Sequence, residues 1–80
     1  MSFALEVYYK PPANPMKESS LQKCIAEFGG RLDYREEPNG EPHAGICLTY
    51  EFDDLEQAAT AAARLRQQGE HVEGPQDYGP

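Results

Sequence analysis

The segment Ala44–Gln68, AGICLTYEFDDLEQAATAAARLRQQ, constrains the fold more than any other, because its hydrophobic period changes almost without a loop. Ile46, Leu48, Tyr50 and Phe52 alternate with Cys47, Thr49 and Glu51, the pattern of a strand that buries one face. Asp53 follows directly, with Glu56 three residues later, as in a helix N-cap and its capping box. Leu55, Ala58, Ala59, Ala62 and Leu65 then fall on one side of a helix, with Gln57, Arg64, Gln67 and Gln68 away from it. Alanines on that side raise helix propensity and permit close approach to a sheet. The rest of the chain has to accommodate this strand–helix unit.

The chain before it reads as a second copy of the same arrangement. Phe3, Leu5, Val7 and Tyr9 point one way along a first strand, and Ala4, Glu6 and Tyr8 the other. Lys10–Pro15 cannot continue a central strand, because its prolines lack ladder donors. Asn14 before Pro15 is instead a helix start, an Asx cap followed by proline at the first helical position. The spacing predicts a first helix over Pro15–Phe28, with Leu21, Cys24, Ile25 and Phe28 as its buried stripe and Gly29 as its C-cap.

Arg31–Glu37 is the second strand, with Leu32 and Tyr34 on one face and Arg31, Asp33 and Arg35 on the other. Its charge suits an edge, where charged side chains discourage pairing with other chains. Pro38–Pro42 is a turn by its chemistry. Gly69 ends the second helix, Glu70–Gly74 forms a short last strand with Val72 inward, and Pro75 stops it. The expected domain therefore covers residues 1–75, with 76–80 a frayed C-terminal tail.

Strand, helix, strand, strand, helix, strand is the order of an α+β ferredoxin-like sandwich. In that fold a four-stranded antiparallel sheet carries both helices on one face, with the first and third strands in the middle. A competing arrangement omits the last strand.

Charge bounds the partners. Seven basic against fourteen acidic residues leave a net charge of −7, which argues against nucleic acid or an anionic membrane surface as a partner. No apolar run reaches the length of a membrane helix, and MSFALEVYYK has no basic region followed by an apolar block, so the expected location is cytoplasmic. Cys24 and Cys47 then read as reduced thiols rather than a disulfide framework.

Helices on one side leave the other sheet face uncovered, and function is sought there. That face is expected to carry Glu6, Tyr8, Arg31, Asp33, Arg35, Cys47, Thr49, Glu51, His71 and Glu73. Tyr8, Arg31, Arg35, Cys47, Thr49, Glu51 and His71 are the candidate binding residues. Of the familiar uses of the fold, ligand-sensing ACT-type regulatory domains share this element order and stay open, although the glycine wanted at the first strand–helix turn is missing. The others lack their marks here, Tyr8 apart. RNA-recognition domains place stacking aromatics on both central strands within a basic surround, whereas the third strand here offers Cys47, Thr49 and Glu51. The first strand–helix loop, Lys10–Asn14, lacks the Cys-x-x-Cys of heavy-metal carriers, and its prolines cannot build an anion cradle of backbone N–H groups.

His71, Glu6, Glu51 and Cys47 have the donor chemistry for zinc but no ligand spacing. A Cys47–His71 nucleophilic pair lacks an orienting group and an oxyanion site. The expectation is a non-catalytic binding or regulatory module with no cofactor and no metal, whose partner is a second copy or another protein. The alternatives are a small enzyme of the dimeric ferredoxin-like type, using Tyr8 or His71 for acid–base work, and, more remotely, an RNA-binding domain.

Overall fold

Apolar residues alternate most cleanly in the first and third strands, and those strands lie at the centre of the sheet. A computed structural model describes residues 1–38 and 45–79. Its elements are β1 (Phe3–Tyr9), α1 (Pro15–Glu27), β2 (Arg31–Glu36), β3 (Ile46–Phe52), α2 (Leu55–Gln67) and β4 (His71–Asp77). The four strands pair antiparallel in the order β2-β3-β1-β4. Both helices supply residues to a single core against the sheet, so the expected ferredoxin-like sandwich is the fold observed. Residues 39–44, which include His43 and most of the expected Pro38–Pro42 turn, lie outside the described residues.

Leu5 and Val7 of β1, Ile46, Leu48, Tyr50 and Phe52 of β3 and Val72 of β4 are buried on one sheet face. Leu21, Cys24 and Ile25 of α1 and Ala58, Ala61, Ala62 and Leu65 of α2 close over them. Phe3 and Phe28 are half-buried at the margin. Leu32 departs from the expected core: it is 40% exposed, because it sits on the edge strand beyond full helix cover.

The helix starts illustrate how local chemistry sets boundaries. Asn14 Oδ1 accepts from the Lys17 N–H at 3.0 Å, and Pro15 follows as the first helical residue, as the sequence predicts. On α2 the cap is Asp54 rather than Asp53: its carboxylate accepts from the Gln57 N–H at 2.9 Å. Asp53 lies one residue outside and meets Arg31 instead, at 3.3 Å. The buried stripe of α2 is correspondingly Ala58, Ala61, Ala62 and Leu65, at the i, i+3, i+4, i+7 spacing. Ala59 and Leu55, expected inside, face solvent. Both helices end in a Schellman motif. The Gly30 N–H returns to the Ile25 carbonyl and the Glu70 N–H to the Leu65 carbonyl, at 2.9 and 3.0 Å respectively.

Two bulges shape the sheet edges. In β2 the register passes from Leu32 opposite Tyr50 to Tyr34 opposite Thr49, leaving Asp33 as the extra residue. In β4 it passes from Glu73 opposite Glu6 to Gln76 opposite Ala4, with Gly74 and Pro75 in the irregular stretch. That bulge is why Pro75 does not stop the strand: an edge bulge tolerates a residue without an N–H. Gly74 has φ +104°, and a Cβ there would lie 2.6 Å from the Ala4 carbonyl oxygen, so only glycine fits. β4 thus continues to Asp77, and the ladder is prolonged by the Tyr78 N–H to the Ser2 carbonyl, 2.9 Å, and the Ser2 N–H to the Gly79 carbonyl, 3.2 Å. The segment expected to fray is tied to β1 as far as Gly79.

Candidate functional site

The sheet face away from the helices is built in three rungs by the strand registers. Across β2, β3, β1 and β4, the first rung is Glu36, Cys47, Tyr8 and His71, and the second is Tyr34, Thr49, Glu6 and Glu73. Arg31, Glu51, Ala4 and Gln76 form the third. Six of the expected site residues, Tyr8, Arg31, Cys47, Thr49, Glu51 and His71, are therefore together on this face.

Arg35 is not among them. The Asp33 bulge shifts the alternation of β2 by one residue, so Arg35 falls opposite inward-facing Leu48 and Tyr34 falls opposite outward-facing Thr49. Arg35 lies on the helix side, where its Nε and Nη2 donate to Glu18 Oε1 and Oε2 at 2.8 and 2.9 Å. The Tyr9 hydroxyl donates to the same carboxylate and accepts from the Asn14 N–H at 2.9 Å. The bidentate Arg35 guanidinium, aided by Tyr9 and opposed by burial, holds the Glu18 carboxyl below the usual carboxylate range. Nearby, Lys17 Nζ pairs with Glu70 at 2.9 Å and sits 5.7 Å from the Tyr9 ring centre. A cleft of about 410 Å³ opens beside these groups at the β1–α1 turn, lined by Tyr9, Lys10, Pro12, Asn14 and Lys17 among others. Tyr9 and Lys17 are committed to Glu18 and Glu70, and the cluster ties α1 to β1, β2 and the residue just before β4.

On the open face the side chains form smaller contacts. Tyr8 and His71 meet edge to face, with ring centres 5.6 Å apart. The Cys47 thiol donates to Glu6 Oε2 at 3.8 Å, and the Gln76 amide donates to Glu6 Oε1 at 3.5 Å. Burial pushes the Cys47 thiol up, so it is a weak nucleophile. Burial, the Cys47 contact and the charges of Glu6 and Glu73 also push the Tyr8 phenol up, so it stays protonated. Arg31 is the cation of the face and is committed, reaching Glu51 at 3.0 Å and Asp53 at 3.3 Å. Among the described residues no three His, Cys, Asp or Glu side chains are grouped to hold a metal ion.

One end of the face is covered from within. The Tyr78 hydroxyl donates to Asp33 Oδ2. Since Tyr78 follows β4 and Asp33 lies on β2, at opposite edges, the phenol crosses β1 and β3. The outward-facing Ala4 and Thr49 are buried, with 0% and 7% exposure, as expected beneath such a strap. Sequence reasoning missed Tyr78, Tyr34 and Glu36 as members of this face. Tyr34 and Glu36 depend on a bulge that leaves no local mark, since Leu32 and Tyr34 alternate as in a regular strand. The chain matches no family model, and comparison with curated proteins finds no match. No helix among the described residues is long and apolar enough to cross a membrane.

Proposed function

We propose that the chain is a non-catalytic interaction module whose open sheet face binds another protein. The observation that carries this reading is the placement of Tyr34, 57% exposed, on the same uncovered face as the Tyr8–His71 pair. Exposed aromatics combine a large contact area with few rotatable bonds, which favours them as anchors at protein interfaces. Burial holds the Cys47 thiol and the Tyr8 phenol of the same face protonated, which leaves both weak nucleophiles. The unpaired thiols Cys24 and Cys47 support a reducing compartment such as the cytoplasm. A second copy is the weaker partner. A face-to-face pair would set Glu6, Glu36, Glu51 and Glu73 of one chain against the same residues of the other.

Selection from a random peptide display library tests the reading. Peptides enriched on the wild-type protein are expected to lose binding to the Tyr8→Ala/Tyr34→Ala variant while its thermal melt stays cooperative. Peptides that bind both proteins equally, or a library that yields none, would refute an interaction site on this face.

A further inference from the structure

The two sides of the sheet treat their carboxylates differently. On the helix side Glu18 and Glu70 are each matched by a cation, Arg35 and Lys17. On the open face Glu6, Glu36 and Glu73 have no cation within ion-pair distance among the described residues, and Arg31 is already shared between Glu51 and Asp53. These unmatched carboxylates share two rungs with the rings of Tyr8, Tyr34 and His71. We infer that the uncovered end of the open face docks a basic segment of its protein partner, with Lys or Arg side chains laid over the tyrosine rings and their charged ends directed to Glu36 and Glu73. The inference rests on the reading of this face as an interaction surface.

A basic segment suits this face in three ways. The first is charge complementarity: a basic segment gains from the local carboxylates and from the −7 of the whole chain, whereas an acidic partner or a second copy is repelled. The second is ring chemistry, since a cation is attracted to the face of a tyrosine and its aliphatic stem packs on the ring. The third is the mode already seen in the chain. Tyr78, which follows β4, reaches toward β2 at the other end of the face and aims its donor at a carboxylate, Asp33. The free end offers the same elements to an incoming donor: outward side chains of β1 and β3 flanked by carboxylates on both edge strands.

The experiment is a titration of the full chain, followed by amide chemical shifts, with a peptide of alternating lysine and valine and a control of alternating glutamate and valine. The lysine peptide is expected to shift residues of β1, β3 and the facing edges, with affinity falling as salt is raised. Glu36→Gln/Glu73→Gln is expected to weaken it about tenfold, the combined worth of two exposed charge contacts. Glu27→Gln/Glu56→Gln, which removes the same charge from exposed helix positions, is expected to leave it nearly unchanged. Equal weakening by both variants would reduce the effect to general attraction and overturn the inference. If the lysine peptide fails to bind while neutral or acidic library peptides bind this face, the inference falls and the interaction module stands. If neither the lysine peptide nor any library peptide binds the face, both fall.

Discussion

The two faces of one sheet have opposite characters, although the same strands build both. Against the helices, Leu48 and its neighbours are sealed in the core, and the polar groups at the margin are locked: Glu18 by Arg35 and Tyr9, Glu70 by Lys17. Away from the helices, Tyr34, His71, Glu36 and Glu73 are exposed, and the contacts are an edge-on ring pair, a thiol donor, the Tyr78–Asp33 hydrogen bond and the exposed pairing of Arg31 with Glu51 and Asp53 rather than a bidentate ion pair. The difference is one of pairing: the carboxylates at the core margin are each matched by a cation, whereas Glu6, Glu36 and Glu73 of the open face have no ion-pair partner among the described residues.

The largest test of that contrast compares adjacent residues of β3. Leu48→Ala is expected to cost about 2–5 kcal/mol in denaturant melts, as for a fully buried leucine, and Cys47→Ala on the other face less than about 1 kcal/mol. Comparable losses would mean that the open face is packed as tightly as the core. Glu18→Gln comes next. It leaves Arg35 with a neutral partner and is expected to lose about 1–3 kcal/mol at neutral pH. The sign of its pH dependence follows from the depressed Glu18 carboxyl. Its contribution is full above the ordinary carboxylate range and disappears as pH falls through the lower folded-state value. The stability gap between variant and wild type should therefore be constant near neutrality and close in acid. A gap that widened in acid would assign the pair the wrong sign.

Smaller effects sharpen the boundaries of the two regions. Asp54→Ala is expected to cost about 0.5–2 kcal/mol as the true cap of α2, and Asp53→Ala less, since Asp53 makes an exposed contact with Arg31. The reverse order in thermal melts would return the cap to Asp53. Tyr78→Phe, which removes the hydroxyl bonded to Asp33, is expected to leave the global melt nearly unchanged while speeding hydrogen exchange at the Tyr78 amide. Unchanged exchange would mean that the phenol does not hold the strap across the face.

Much of the fold was legible because period and punctuation agree in this chain. Strict alternation in Phe3–Tyr9 and Ile46–Phe52 identified the central strands and their inward residues, and Asn14-Pro15 marked a helix start that the cap geometry bears out. The site was only partly legible. Its β1 and β3 members followed from that alternation, but Arg35 and Tyr34 exchange sides, and Tyr78 arrives from a segment that composition marks as a tail. Asp53 and Asp54 are the same residue type side by side, so sequence alone does not distinguish which one caps.

What the sequence determined by itself is the element order and the inward faces of the two central strands, because local hydrophobic spacing and backbone chemistry act within a few residues. What the tertiary structure decided is the composition of the open face. The Asp33 bulge exists only in the register of β2 against β3, where it carries Arg35 to Glu18 and leaves Tyr34 open. The Gly74–Pro75 bulge exists only against β1, and it allows the chain to continue to Tyr78 and across to Asp33. Each is a contact between residues far apart in the chain, whose free energy no local pattern encodes.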